Sequence, residues 1–387
     1  MARVKFGDVV RETKGKVDRN NNPYEFYVAG DHMDSEDLTI HRHGCFATDD
    51  VGPAFIREFK RGQVLYGSRR TYLKKVAVAD FDGVTANTTF VLETKDQGVL
   101  MQKLLPFIML SEGFTTWSVG KSKGSTNPYV LFSDLADYEF ELPPIALQKE
   151  LSDLLWQMFH LQEQYNRLIK ASDELVKSQF IAEFGDPREN PNGYSYSALR
   201  GIADITSGIT KGRKTKEANL VRVPYICTAN VQNGYIDWSE TKYIEATTEE
   251  ISLYSLYDDD VLMIEGGDPD KVGRGCLAGQ VPNQCIYQNH VFRVRLNKDA
   301  ILPEFFARYI LLPSTKQYFL ECAKQTTGIA TINKRQLSDL GVMYPPLNLQ
   351  KRYLATAQQL DKSKHSAQKA LEDLQATQKA LIRKYLG

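Results

Sequence analysis

The sequence predicts an α+β protein: two similar mixed α/β domains with two long helices that pair as an antiparallel coiled coil, built by internal duplication. Three observations carry this. The octet Leu142-Pro143-Pro144-Ile145-Ala146-Leu147-Gln148-Lys149 returns as Tyr344-Pro345-Pro346-Leu347-Asn348-Leu349-Gln350-Lys351. Each copy opens a helical run that closes on a glycine, with one offset of 202 positions from proline to proline (143 to 345) and glycine to glycine (185 to 387). In the first run the apolar residues step by fours and threes for about four heptads, the pattern of a coiled-coil seam. A period of half the chain is too long for a solenoid and denotes a duplicated domain-plus-helix unit.

The first domain is expected at residues 1–141. A short element at Phe6-Gly7-Asp8-Val9-Val10 precedes a turn-rich stretch ending at Asn22-Pro23. Residues 24–29, 63–66, 76–79 and 89–92 have the β-branched and aromatic character of strands. Asp82-Gly83 reads as a hairpin turn between the last two. Residues 100–110 form an apolar, helical packing segment. Residues 113–127, rich in Gly, Ser, Thr and Lys, read as an exposed loop.

The first long helix is expected within 142–186, with Leu147, Leu151, Leu154, Met158, Leu161, Tyr165 and Leu168 as its seam. Proline tolerates the first helical turn, and glycine suits the left-handed position after the last. Roughly 40 residues at 1.5 Å each make a rod of about 60 Å. The second domain, 187–343, repeats the plan: Asp259-Asp260-Val261-Leu262-Met263 answers Gly62-Gln63-Val64-Leu65-Tyr66, and Asn289 and Phe292 answer Asn87 and Phe90. The second helix, 344–387, has its seam at Tyr353, Leu360, Ala367, Leu374 and Leu381. It carries eight basic residues against three acidic, the first helix four against seven. Opposite signs favour pairing with each other over self-pairing.

Composition sets the outer bounds. At 387 residues, 42% hydrophobic and 25% charged, the chain has the make-up of an ordinary globular protein with two or three domains. No apolar run approaches the roughly 18 residues of a membrane span, and the first residues lack the apolar core of a signal peptide. Five scattered cysteines, never in a CxxC pair, suggest a reducing compartment and a cytoplasmic location. Formal net charge is zero, so the chain as a whole gives no electrostatic pointer to nucleic acid. Basic residues cluster locally, at 57–75 and again at 211–216, which on its own describes a solvated face.

No catalytic constellation stands out. Asp82, Glu93 and Lys95 loosely match a metal-dependent nuclease, but the second copy offers Gln284, Arg295 and Asn297 at the same offset. Asn127-Pro128-Tyr129 resembles in part the target-amine motif of DNA amino-methyltransferases, yet it lacks the second proline, and no phosphate-binding glycine loop accompanies it. His41, His43 and Cys45 alternate and would share a strand face without a fourth ligand at metal-site spacing. Gly266-Gly267-Asp268-Pro269 and Gly273-Arg274-Gly275 read as turns.

With duplicated domains, two Pro-Pro-initiated helices and no catalytic centre, the chain resembles the specificity (S) subunit of type I restriction–modification enzymes. The resemblance rests on the octet at 142–149, on Asp173-Glu174-Leu175-Val176-Lys177-Ser178-Gln179-Phe180 and on Glu183-Phe184-Gly185-Asp186. It spans the whole chain; the second copy keeps Pro345 to Lys351 and departs at residues 374–382. It implies that each globular domain is a target-recognition domain reading one half of a split double-stranded DNA sequence in the major groove. The helix pair would set the unread gap and dock two methyltransferase subunits, with a restriction/translocase subunit joining for cleavage. It also implies a non-catalytic chain with no cofactor of its own, S-adenosylmethionine, ATP and Mg belonging to the partner subunits. The competing reading is a coiled-coil scaffold with no DNA role.

Arginine or lysine pairs with guanine, asparagine with adenine, and other basic groups with phosphate. The candidate DNA-binding residues are therefore Arg69, Arg70, Lys121, Lys123 and Asn127 in the first domain. In the second they are Lys211, Arg213, Lys214, Lys216, Thr327 and Asn333.

Overall fold

The computed structural model describes residues 2–18, 21–213, 219–269, 271–326 and 328–387. They form two units, residues 1–167 with 368–387 and residues 168–367, so each unit takes half of each long helix. In the first unit an antiparallel sheet has the order Val10–Thr13, Thr89–Thr94, Val64–Gly67, Val76–Val78. A second sheet runs Gly44–Cys45, Phe26–Val28, Gly83–Ala86, Phe55–Phe59, its middle pair parallel. Strand Ala2–Lys5 pairs with Glu139–Leu142, which leads into the helix.

The second unit repeats this wiring. Its four-stranded sheet has the order Ala203–Ser207, Val291–Leu296, Val261–Ile264, Gly275–Leu277. Val221–Ile226 pairs antiparallel with Lys242–Ala246 and parallel with Ile286–Tyr287. Ser195–Ala198 joins Gly341–Tyr344 just before the second long helix. The duplication seen in the octet is thus a duplication of topology. The central strands Val64–Gly67 and Val261–Ile264 are rich in β-branched and aliphatic residues and largely buried, as strands covered on both faces should be.

Two expectations for the first unit are corrected. Residues 113–127 are not one loop, because Glu112–Gly120 is helical. Ser111 caps it, its side chain accepting from the Phe114 amide at 3.3 Å. Phe114 and Ser118, one turn apart, are buried, and this cap and packing outweigh the weak helix propensity of Gly, Ser and Thr. Asp82-Gly83 is not the tip of a hairpin either, since Val76–Val78 and Gly83–Ala86 lie in different sheets. Gly83 is needed for close approach: a Cβ there would stand 2.7 Å from the Phe59 ring and 2.9 Å from the Phe26 carbonyl.

The long helices span Ile145–Phe184 and Leu347–Leu386. Gly185 takes the left-handed conformation (φ +81°), and its amide donates to the Ile181 carbonyl at 2.8 Å, closing the first helix. The repeated Leu-Gln-Lys triplets have a structural meaning that periodicity does not reveal. Gln148, 1% exposed, accepts from the Met101 amide and donates to the Val99 and Pro143 carbonyls, at 2.8–3.0 Å. Gln350, 0% exposed, accepts from the Leu302 amide and donates to the Ala300 and Pro345 carbonyls, at 2.7–3.0 Å. Each glutamine staples the start of a helix to its own domain.

The seam of the first helix is shifted from the expected one. Leu151 and Met158 are buried and Leu147 and Tyr165 partly so, but Leu154, Leu161 and Leu168 face solvent in this chain, as does Leu175. The inward track is Leu151, Leu155, Met158, Gln162, Tyr165, Ile169, Ser172 and Val176, still by fours and threes, but leaving Leu151 by a step of four to Leu155 instead of three to Leu154. Its polar members disguise it in the sequence: Gln162 donates to Gln378 at 3.0 Å, and Gln378 donates to the Leu155 carbonyl at 3.2 Å. In the first unit Leu151, Leu155 and Phe159 pack with Leu104, Phe107, Ile382 and Leu386. In the second unit Val176, Phe180 and Phe184 pack with Phe305, Tyr353, Leu354 and Ala357. In each unit one helix's early half meets the other's late half, so the pair runs antiparallel. Along the second helix Tyr353 and Ala367 are buried, and Leu360, Leu374 and Leu381 are half-buried. Opposite charges meet across the pair in the second unit, Arg352 with Glu183 at 2.5 Å and Lys364 with Asp173 at 2.6 Å.

Among the described residues no helix is long and apolar enough to cross a membrane.

Candidate nucleic-acid interface

The first unit brings most of its sequence-derived candidates onto two loops that are pinned together. The Arg70 amide donates to the Pro128 carbonyl at 2.7 Å, and the Val130 amide to the Ser68 carbonyl at 2.9 Å. The Thr71 and Ser122 hydroxyls bond at 2.8 Å. Arg69 forms a β-bridge with Tyr129, its guanidinium 6.0 Å from the ring centroid. Lys121 lies 4.7 Å over the Trp117 ring. Arg69, Arg70, Lys121 and Asn127 are all exposed. Lys123 is committed elsewhere: it pairs with Asp134 at 2.9 Å, and that bond holds the Asp134 carboxyl below its ordinary range.

The same frame recurs in the second unit with different side chains. The Ile332 amide donates to the Glu265 carbonyl at 2.8 Å, as Val130 does to Ser68. Gly266–Gly267 pairs with Thr331 and Ala330 where Arg69 and Arg70 meet Tyr129 and Pro128. A Cβ on Gly266 would stand 2.5 Å from the Thr331 methyl and 2.7 Å from the Ala330 carbonyl, so arginine cannot simply replace it. Nearby, His290 Nδ1 contacts the Glu265 carboxylate at 2.5 Å, and Arg274 donates to Gln232 at 3.1 Å and the Thr228 carbonyl at 3.3 Å. One scaffold therefore displays two chemically distinct loop faces.

Two candidates in the second unit have structural duties instead. Arg213 grips Glu250 with two guanidinium nitrogens, Nε at 2.5 Å, and donates to the Glu245 carbonyl at 3.1 Å. Glu250 also closes the capping box of helix Thr248–Tyr254 with Thr247, and its hydrogen bond from Arg213 depresses its carboxyl pKa. A guanidinium so occupied is not free to read guanine. Asn333 caps helix Lys334–Ser338, its carbonyl oxygen accepting from the Gln336 amide at 2.9 Å. In the sequence both read as DNA contacts: Arg213's partner lies 37 positions on and leaves no local trace, whereas the Asn333-x-x-Gln336 spacing is a capping-box signal that could have identified the cap. Lys211 is exposed. Lys214, Lys216 and Thr327 lie outside the described residues.

The nuclease grouping does not assemble. Asp82 accepts from the Arg61 amide at 2.8 Å, Glu93 is bound by Arg11 and Gln63 at 2.7 and 2.8 Å, and Lys95 donates to the Gly7 carbonyl at 2.5 Å. At the place of the Gln63–Glu93 contact the second unit has Asp260 bound by Arg295 at 2.7 Å, the same strand tie with its polarity reversed. His41 pairs with Asp37 at 3.0 Å, and His43 packs on Phe26 with centroids 4.3 Å apart. Among the described residues no group of three or more His, Cys, Asp or Glu is placed to hold a metal ion.

Two like-built units with different loop faces, tied to a pair of long antiparallel helices, define a protein built by internal duplication. Residues 191–375 match the family model described as the type I restriction modification DNA specificity domain. The chain is similar to the type I restriction enzyme EcoKI specificity subunit of Escherichia coli (strain K12), 26% identical over 281 residues, 68% of this chain and 60% of that one. It is also similar to the putative MjaX specificity subunit of Methanocaldococcus jannaschii, 24% identical over 189 residues, 48% and 44% of the two chains. Among solved structures, the type I restriction-modification system S subunit from M. genitalium matches with a TM-score of 0.58 at 14% identity, over 99% of this chain and 95% of that one. A chain from a structure of type I R-M complex assembly and conformational transition matches at 0.57 and 18%, over 100% and 97%. Residues 191–375 thus match the type I restriction modification DNA specificity domain, and the chain as a whole is similar to type I specificity subunits. Its matched part spans about 60% of the length of the EcoKI relative.

Proposed function

We propose that this chain is the sequence-reading subunit of a type I restriction–modification complex, its two units each reading one half of a bipartite duplex DNA target. The observation that carries this is the equivalence of frame and difference of face: Arg69-Arg70 in one unit and Gly266–Gly267 in the other, on matching strands and hydrogen bonds. A scaffold without a DNA role has no use for such divergence on a repeated frame. The chain itself is non-catalytic and holds no cofactor; S-adenosylmethionine, ATP and Mg serve methyltransferase and restriction/translocase subunits, in the cytoplasm. The helix pair sets the spacer between the half-sites. The leucines that face solvent on the first helix, Leu154 and Leu161 in the first unit and Leu168 and Leu175 in the second, suit docking of methyltransferase subunits.

The test is co-expression with a type I methyltransferase subunit in a host free of background methylation, mapping modified bases by long-read sequencing. Two short defined blocks at a fixed gap, present only with this chain, are expected. An assembled complex that methylates without sequence preference refutes the proposal.

A further inference from the structure

The turn between Ser68 and Lys75 has a feature that phosphate gripping does not require. Arg70 (φ 50°, ψ 53°) and Lys74 (φ 47°, ψ 46°) both take the left-handed conformation, which disfavours side chains with a Cβ. Between them Thr71–Leu73 forms a single 3-10 turn, closed by the Leu73 amide on the Arg70 carbonyl at 2.8 Å and the Lys74 amide on the Thr71 carbonyl at 2.9 Å. Thr71 is buried and bonded to Ser122, Arg70 is tied through its amide to Pro128, and Lys74 pairs with Glu36 at 2.5 Å. The one ring this braced turn puts outward is Tyr72, 56% exposed. Beside it stand Arg69 and Arg70, neither of which has a carboxylate partner among the described residues.

Glycine would relieve both left-handed positions, so arginine and lysine there, held in place by so many bonds, point to a use for the shape. An exposed tyrosine on a rigid turn loses little freedom on binding and offers both an apolar edge and a hydroxyl. Preceded in the chain by two exposed arginines, the residue type that grips guanine edges and phosphates, such a ring has the chemistry to meet a base edge in the major groove.

Resting on the reading of this chain as a DNA-sequence reader, we propose that Tyr72 is a specificity-determining residue of the first unit, set against a base edge by the Arg70–Lys74 turn. The experiment uses the complex assembled with a methyltransferase subunit and compares wild type, Tyr72→Phe, Tyr72→Ala and Arg70→Gly. Tyr72→Ala is expected to relax one position in one block of the methylated motif and to weaken binding of the cognate duplex about tenfold, the other block staying as it is. Tyr72→Phe retains most of the affinity. Arg70→Gly raises the melting temperature by about 2 °C while weakening cognate binding, since it relieves the backbone and removes the cation. An unchanged motif and affinity in Tyr72→Ala, with its melting temperature at the wild-type value, overturn the assignment. So does a uniform loss on cognate and unrelated DNA alike, which marks Tyr72 as a non-specific contact. If wild type itself shows no sequence preference, the reading of the whole chain fails instead.

Discussion

Replacing Gln148 with alanine removes three hydrogen bonds at once, from the Met101 amide and to the Val99 and Pro143 carbonyls. At roughly 1 kcal/mol each, plus the cost of stranding buried polar atoms, the loss should be about 3–4 kcal/mol. That is a large share of the stability of a unit this size. Tryptophan reports it locally, because Trp117 and Trp156 belong to the first unit and Trp238 to the second. In a Trp238→Phe background, Gln148→Ala should lower the urea midpoint by about 1–2 M, for a slope near 2 kcal/mol/M. Gln148→Glu keeps the volume but sets a carboxylate against two carbonyl oxygens. It should be at least as damaging at pH 7 and recover in part as the pH is lowered and the group protonates. Gln350→Ala should act equally on the second unit. A midpoint shift below about 0.3 M for Gln148→Ala would refute the view that the repeated glutamines fasten the helices to their domains.

Three further outcomes follow from the same structure. Leu154→Glu with Leu161→Glu should leave the melting temperature of the isolated chain within about 2 °C, since both face solvent, yet reduce co-purification of the methyltransferase subunit; undiminished assembly would remove these leucines from the docking surface. Arg213→Ala should cost about 1–2 kcal/mol of stability by freeing Glu250 and loosening a helix cap, while cognate affinity per folded molecule stays the same. Because Arg213 depresses the Glu250 pKa, its contribution is fully present above the ordinary carboxyl value and lost as pH falls through the lowered one, so the wild type–mutant gap should close in acid titration followed by circular dichroism. Burial pushes the Cys276 and Cys285 thiols up to about 12. They stay neutral in the fold while the unfolded chain ionises near pH 9, so stability should fall above that pH, by about 1.4 kcal/mol per thiol at pH 10. Urea midpoints for Cys276→Ala with Cys285→Ala at pH 8 and pH 10 check this, the double variant losing less between the two.

The duplication, the limits of both long helices and their opposite charge are legible in the chain because they rest on local rules: proline at a helix start, glycine past its end, apolar residues at near-regular intervals. The heptad period was readable too, but its phase was not. Leu154, Leu161 and Leu168 are more apolar than Gln162, and a sequence ranks them as core. Only the partner helix decides otherwise, by offering Gln378 to Gln162 and leaving those leucines in solvent. The helix at Glu112–Gly120 was hidden by its glycines and threonines, and depends on a cap and on Phe114 finding its pocket. At the candidate interface the sequence picked out the basic loops, since charge and turn residues are local properties. It could not separate Arg69 and Arg70, which meet no carboxylate among the described residues, from Arg213, which Glu250 has claimed across 37 positions of chain. Which cations are spent inside the fold and which remain for a ligand is a matter of long-range pairing, and only the tertiary structure settles it.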